Sequence, residues 1–325
     1  MTDTVHPEIL SVPAPPAPAA VSATRLSDPV PLTTVTPATA PPAAPVKPAP
    51  AALPPTPEFP PHDLTDGVLW VLTGGVRTHL VDQERALALI ADAAAHRGAR
   101  PLGVVSINLD HIHHFGTRSG DVGRQITATD PVEWLNLIDG APIAHHARRL
   151  TGTEFPKLSG SDLIAPVLDM ATATGVSVGV LGGMPEVGAA LRSRVAADWP
   201  SLRLSGHWTP ERRVLDSASG SAELAAEIRA AGTDILVVCL GKPRQERWIA
   251  EFGAGTGAGA LLAFGAVVDF LAGRVSRAPQ WISDAGLEWA WRLMLEPRRL
   301  ARRYLIQGPP AYLALRRPVM ARGHG

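Results

Sequence analysis

The sequence has a single cysteine, no surplus of charge and no apolar run long enough to cross a bilayer. Cys239 cannot form a disulfide within one chain, which fits a reducing compartment. Thirty Lys and Arg residues balance thirty Asp and Glu residues, so we expect no nucleic-acid partner. The longest apolar region, residues 258–272, is too short for a span and contains Asp269. We therefore expect no transmembrane helix.

The first 62 residues differ in composition from the rest of the chain. They hold 18 of the 32 prolines, mostly mixed with alanine, and contain few large apolar side chains. Such sequence favours extended, solvated chain over a packed core. It also has neither the basic start nor the continuous apolar stretch of a secretory signal. We predict a disordered arm over residues 1–62 and a cytoplasmic location.

From residue 66 to residue 285 the pattern alternates between strand and helix. Strand-like runs predict strands at residues 102–107, 176–181, 202–205, 235–240 and 260–264. Apolar side chains at helical spacing predict helices within residues 184–199 and 222–231. This alternation indicates an α/β fold, Rossmann-like, with a mainly parallel sheet and helical crossovers.

Two of the predicted strands end in glycine-containing turns. Gly182 and Gly183 follow the second strand, and Gly241 follows the fourth, just before Gln245 and Glu246. In open α/β sheets, ligands bind at the carboxyl ends of strands, where helix N-termini offer free N–H groups to anions. These turns favour a polar, phosphate-bearing ligand. The dinucleotide fingerprint G-x-G-x-x-G is missing, which disfavours a nicotinamide-dependent oxidoreductase.

Residues 286–325 carry eight arginines against Glu288 and Glu296. Tryptophan and leucine residues are interleaved with these arginines. That mixture is typical of a helix lying on an anionic membrane surface. An ordinary domain-closing helix with a solvated face is the alternative. We predict a basic, amphipathic helical appendage to the α/β domain.

Several motifs occur in a specific order. They are LGGMP at residues 181–185, LGKPRQE at 240–246, GAVVDFLAGRVSRAP at 265–279, GLEW at 286–289 and EPRRLARRYL at 296–305. Together they resemble the WecG/TagA/CpsF group of bacterial cell-envelope glycosyltransferases, glycosyltransferase family 26, over roughly residues 69–313. Earlier in the chain, Ser106-Ile107-Asn108 resembles the family's Thr-x-Asn, and Asp139-Gly140 resembles its Asp-Gly. Lys157 stands where the family usually has arginine.

The resemblance implies an inverting transfer of an N-acetylhexosamine, such as N-acetylmannosamine. The donor would be a UDP-sugar and the acceptor a polyprenyl-diphosphate-linked sugar, in envelope polysaccharide or teichoic-acid-type synthesis. The enzyme would sit peripherally on the inner face of the cell membrane and use no cofactor. The sequence leaves open whether it forms a homo-oligomer.

The resemblance also assigns Asp139 as the catalytic base. A sugar hydroxyl is a poor nucleophile near neutral pH, so a carboxylate within hydrogen-bond reach is needed to take its proton. Asp139 follows an apolar run and precedes a glycine. The structural alternative is an aspartate that only caps a turn or a helix.

The departing diphosphate needs groups that stabilise its negative charge. The chain has no Asp-x-Asp pair, so helix N-termini and arginines are the expected stabilisers, without metal. A metal site at His111, His113 and His114 with His145 and His146 is disfavoured, because no supporting ligands are visible. The predicted substrate-binding residues fall into three groups. They are Ser106 and Asn108; Gly182, Gly183, Gln245 and Glu246; and Arg292, Arg299 and Arg303. For Glu246 the alternative role is charge complementarity at a helix start.

Two functions from other classes remain as alternatives. The chain could be a non-catalytic membrane scaffold of the same fold, or an oxidoreductase on a similar sheet. The joint presence of Asp139, Gln245 and Glu246 weighs against the scaffold, and the missing glycine fingerprint weighs against the oxidoreductase.

Overall fold

The computed structural model describes residues 64–97, 100–116, 131–273, 282, 288–295 and 297–315. The predicted arm over residues 1–62 lies outside the described residues, as do residues 316–325. The strands are β1 Trp70–Thr73, β2 Val76–His79, β3 Leu102–Ile107, β4 Glu133–Ile138, β5 Ser177–Gly182, β6 Arg203–Trp208, β7 Ile235–Cys239 and β8 Ala260–Ala263.

Helices connect these strands and follow the last one. They are α1 Gln83–Ala95, α2 Leu109–Phe115, α3 Ala141–Thr151, α4 Gly160–Thr174, α5 Val187–Asp198, α6 Arg212–Leu215, α7 Ala218–Ala230, α8 Arg244–Phe252, α9 Val267–Leu271, α10 Glu288–Leu295, α11 Pro297–Ala301 and α12 Gly308–Leu315. A 3₁₀ turn, Gly253–Thr256, follows α8, and a π-helical segment, Arg302–Gln307, joins α11 to α12.

The central element is a six-stranded parallel sheet in the order β4-β3-β8-β7-β5-β6. All residues of β3, β4, β5, β7 and β8 are buried. Parallel strands that are covered on both faces have continuous apolar sequences instead of alternating apolar and polar residues. This is why apolar runs in the sequence predict these strands. The α/β, Rossmann-like prediction is confirmed, and a helical C-terminal segment is present.

Two hydrophobic cores lie on the two faces of this sheet. One is formed with α1, α4, α5 and α9, and the other with α2, α3, α7, α8 and α12. The apolar residues whose spacing predicts α5 and α7 are buried in the structure. They are Val187, Leu191 and Val195 in α5, and Leu224 and Ile228 in α7.

Three strands were not among the predicted ones. β4 is a sixth parallel strand, and its apolar residues directly precede Asp139. β1 and β2 form a separate antiparallel hairpin, joined by Gly74 and Gly75. The hairpin is anchored to β4, where the backbone N–H of Asn136 donates to Nδ1 of His79 over 2.9 Å.

Candidate active site

The sheet reverses its winding direction between β5 and β7. The chain leaves β5 for β6 on one side and leaves β7 for β8 on the other, although β5 and β7 are neighbours. The following helices, α5 and α8, consequently lie on opposite faces of the sheet. The carboxyl ends of these two strands therefore form a topological switch point, which is the usual ligand position in open α/β sheets.

Glycines follow both strands at this switch point, and the backbone requires them. Gly182 and Gly183 have φ values of 103° and 82°, and Gly241 has 76°. A Cβ atom on Gly182 would lie 2.5 Å from the carbonyl oxygen of Cys239, so a side chain there would press on the neighbouring strand. The predicted glycine turns therefore lie side by side at the switch point.

Asp139 and Asn108 meet at the same edge of the sheet. Asp139 follows β4, and its backbone N–H donates to the carbonyl of Ile107 at the end of β3 over 2.9 Å. Asn108 is the N-cap of α2, where its Oδ1 accepts from the N–H of Asp110 over 3.2 Å. Its Nδ2 donates to Oδ2 of Asp139 over 2.8 Å. The carboxylate of Asp139 is only half-buried, so it is both fixed and reachable.

Lys242 reaches this pair from the turn after β7. Its Nζ donates to Oδ1 of Asn108 over 3.1 Å and lies 3.4 Å from the carbonyl oxygen of Ser106. Sequence reasoning missed Lys242, because its contacts lie 134 and 136 positions away along the chain. The insertion of β8 between β3 and β7 creates this proximity.

Ser106 is buried beneath this network. Its hydroxyl donates to the carbonyl of Leu158 over 2.9 Å, and the N–H of Leu158 donates to the carbonyl of Ile138 over 2.7 Å. These bonds hold the segment that contains Lys157 against the ends of β3 and β4, while the Lys157 side chain stays exposed. A contact between Ser106 and substrate stays a prediction.

Gln245 ties the turn after β7 to the end of β8. The side chain is fully buried. Its Oε1 accepts from the N–H of Gly241 over 3.2 Å, and its Nε2 donates to the carbonyl of Ala263 and to Oε1 of Glu246, both over 2.9 Å. Because both ends of the amide have protein partners, the contacts seen for Gln245 fix the shape of the turn.

Glu246 forms a fully buried pair with His111 of α2. Nε2 of His111 lies 3.3 Å from Oε1 of Glu246. Burial, followed by the positive charge of Lys242, lowers the pKa of His111 to about 4. Burial alone would raise the pKa of Glu246, but the interaction with His111 and the positive charge of Lys242 outweigh it, so that pKa is lowered. Near neutral pH, His111 is therefore neutral and Glu246 is ionised.

Two other groups do not offer reactive chemistry. Burial raises the pKa of the Cys239 thiol to about 12, so it remains protonated and is a poor nucleophile. Within the described residues, no group of three or more His, Cys, Asp and Glu side chains is arranged to hold a metal ion.

The C-terminal helices combine a buried and an exposed face. Ala311, Ala314 and Leu315 of α12 belong to the core that also contains Ile112 and Phe115 of α2. In the same region, six large apolar side chains are exposed: Met294, Leu295, Leu305, Ile306, Tyr312 and Leu313.

The three predicted arginines fall on this C-terminal region. Arg292 lies in α10, Arg299 in α11 and Arg303 in the π-helical segment, and their side chains lie outside the described residues. Over the portion of the chain that the structure covers, no helix is both long and apolar enough to span a bilayer.

Fold and site together define a Rossmann-like α/β protein with a half-buried carboxylate and glycine turns at the carboxyl edge of its sheet. The sequence model of the Glycosyl transferase WecG/TagA/CpsF family matches residues 71–324. The match covers well over half of the chain, so the protein belongs to this family and is a cell-envelope glycosyltransferase. This confirms the resemblance inferred from the motifs.

Proposed function

We propose that the protein is an inverting glycosyltransferase that moves an N-acetylhexosamine, N-acetylmannosamine-like, from a UDP-sugar to a polyprenyl-diphosphate-linked sugar. The product would serve envelope polysaccharide or teichoic-acid-type synthesis. The observation that carries the proposal is the Asp139 carboxylate, held by Asn108 at the edge of the sheet that also bears the glycine turns. The family match supports the transferase class.

Asp139 acts as the general base in a single displacement. The acceptor hydroxyl oxygen attacks the anomeric carbon, its proton passes to Asp139, and the bond from that carbon to the β-phosphate oxygen breaks with its electrons going to UDP. Asn108 uses one lone pair of the carboxylate, which leaves acceptor capacity for the hydroxyl proton. Attack opposite to the leaving group inverts the anomeric centre.

The donor binds at the switch point between the turns after β5 and β7. Gly182 and Gly183 let the diphosphate approach the backbone, and the positive end of the α8 dipole favours its negative charge. Gln245 and Glu246 shape this site by fixing the turn from which α8 begins. No metal is needed, because the positive end of the α8 dipole and one or more of Arg292, Arg299 and Arg303 stabilise the negative charge of the leaving UDP.

The acceptor reaches the site from the membrane. The exposed apolar side chains of the C-terminal helices, interspersed with exposed Arg298 and Arg302, suit a surface that rests among anionic headgroups. The enzyme would thus be peripheral on the inner face of the cell membrane, where polyprenyl-linked sugars are presented.

UDP release from a panel of UDP-hexosamines tests this function. The assay contains a short-chain lipid-diphosphate-GlcNAc acceptor and is run with EDTA and, in parallel, with added Mg²⁺. We expect acceptor-dependent release that survives EDTA, with an inverted anomeric linkage in the product. Release that requires Mg²⁺ would contradict the metal-free site. UDP binding without turnover of any donor would support the scaffold alternative.

A further inference from the structure

Lys242 links the turn after β7 to the base at the end of β4. Its ammonium donates to Oδ1 of Asn108, whose Nδ2 in turn donates to Asp139. Lys242 is itself half-buried, so its hydrogen bonds are shielded from competing water. Three strand ends, those of β3, β4 and β7, are joined through this chain of side chains.

The contact decides which way the Asn108 amide faces. Oδ1 receives two donors, the N–H of Asp110 at 3.2 Å and the ammonium of Lys242 at 3.1 Å. With the amide reversed, its NH₂ group would face both of these donors and find no acceptor. Lys242 therefore keeps the NH₂ group directed at Asp139, which must then present an accepting oxygen.

The position of the Lys242 charge is itself stabilised. Glu246 is a fully buried carboxylate, and a buried charge is costly without a counter-charge. The positive charge of Lys242 acts on both Glu246 and His111, the pair that joins α8 to α2. The ammonium therefore acts on the buried carboxylate of α8 as well as donating to Asn108.

We infer that Lys242 is a positioning residue for the transfer reaction, holding Asn108 so that Asp139 is oriented toward the acceptor hydroxyl. This inference rests on the proposed function. Lys242 acts through Asn108 and does not hold the donor. Its removal should affect turnover and leave donor binding intact.

The kinetic test compares Lys242→Met with Lys242→Arg. Losing the ammonium should lower kcat by about 10- to 100-fold, since a small misplacement of a catalytic group has effects of that size. The Kd for UDP should change by no more than about twofold. Lys242→Arg, which can still donate to Oδ1 of Asn108, should recover most of the rate. Arg212→Met removes a charge from exposed helix α6 and should leave kcat unchanged.

A double-mutant cycle tests whether Lys242 affects turnover through Asn108. If Lys242 acts through Asn108, the double variant Lys242→Met/Asn108→Ala should be no slower than Asn108→Ala alone. Rate losses that multiply would overturn the inference. So would a weakened Kd for UDP with unchanged kcat, which would make Lys242 a donor-binding group.

A spectroscopic test keeps the inference separate from the proposed function. The side-chain amide resonance of Asn108, assigned by its loss in Asn108→Ala, can be observed without turnover. We expect Lys242→Met to shift it and Lys242→Arg to leave it near the wild-type position. An unshifted resonance would refute the Lys242–Asn108 link even if the enzyme is active. Absent UDP release from the wild type would refute the proposed function while this resonance still decides the link.

Discussion

At the scale of the residue, Gly182 shows how tightly the turn after β5 packs against β7. Its φ of 103° is in the region that side chains rarely adopt, and an added Cβ would meet the backbone oxygen of Cys239 at 2.5 Å. Backbone in the middle of a sheet cannot move aside as the end of a flexible side chain can. The position therefore combines conformational strain with a steric clash.

Replacing Gly182 with alanine should lower the free energy of unfolding by about 2–4 kcal/mol. Gly175→Ala is the matched control, because Gly175 has a φ of 74° but no atom within 4 Å of the place that a Cβ would occupy. Its loss should be about 1 kcal/mol, from the backbone alone. Urea unfolding measures both values. Equal losses of unfolding free energy in the two variants would mean that the contact with the carbonyl oxygen of Cys239 does not destabilise Gly182→Ala.

Among single residues, the sequence could identify Asp139 and Asn108 as candidates, but not the long-range contacts around them. An aspartate between an apolar run and a glycine is visible locally, and the family resemblance gives it a role. The contacts of Lys242 with Asn108 and of Glu246 with His111 join residues more than 130 positions apart. No local spacing encodes such contacts, so only the folded chain reveals them.

At the scale of the element, the C-terminal helices carry the proposed membrane contact. The inner face of α12 packs with α2, whose N-cap is Asn108, while Leu305, Ile306 and Leu313 of this region are 60–66% exposed. An apolar outer face of this kind is expected to insert among lipid headgroups.

The triple variant Leu305→Ser, Ile306→Ser and Leu313→Ser should weaken binding to anionic vesicles by more than about tenfold, because it removes apolar area from the inserted face. Vesicle sedimentation measures the binding, and thermal unfolding checks the fold. Leu150→Ser on α3 is the control, since Leu150 is 49% exposed on a different element. Unchanged vesicle binding in the triple variant would contradict the membrane role of these helices.

Elements buried on both faces of the sheet could be predicted best. The five predicted strands are all found. Four of them, β3, β5, β7 and β8, are buried, whereas the edge strand β6 is partly exposed. β4 was missed as a strand even though its apolar run was recognised, and the β1–β2 hairpin has a Gly-Gly turn that could have indicated it. The predicted domain boundaries at residues 62, 66 and 285 stay predictions.

At the scale of the whole molecule, the strand order brings the residues of the site together. This order could not be predicted from the sequence. Alternation predicts parallel strands, but it does not say that β8 lies between β3 and β7. That placement brings the turn after β7 within reach of Asn108, and it places the glycine turns at a switch point. Pairing between distant segments depends on tertiary packing, which local periodicity does not record.

The stability of the whole molecule should depend on the protonation of buried histidine. His111 has its pKa lowered to about 4 in the folded state, so the unfolded chain binds more protons between about pH 6.5 and pH 4. The free energy of unfolding should therefore fall as the pH falls through this window, by about 3 kcal/mol from His111. Burial also lowers the pKa values of His114 and His146, which adds to the effect with the same sign.

Urea unfolding at a series of pH values between about 7 and 4.5 measures this dependence. In His111→Gln, which keeps a donor for Glu246 but does not titrate, the slope of unfolding free energy against pH should be smaller. His113→Gln is the control on the same helix, at a half-buried position. An unchanged slope in His111→Gln would show that His111 is not the group that carries the pH dependence.

The most direct test of the central claim is the turnover of Asp139→Asn. The amide has the same shape and can still accept from Asn108, so the fold and the Kd for UDP should be retained. With its base removed, the enzyme should lose about 100- to 10,000-fold in kcat for acceptor-dependent UDP release. Wild-type turnover in a folded, UDP-binding Asp139→Asn protein would contradict the assignment of Asp139 as the catalytic base.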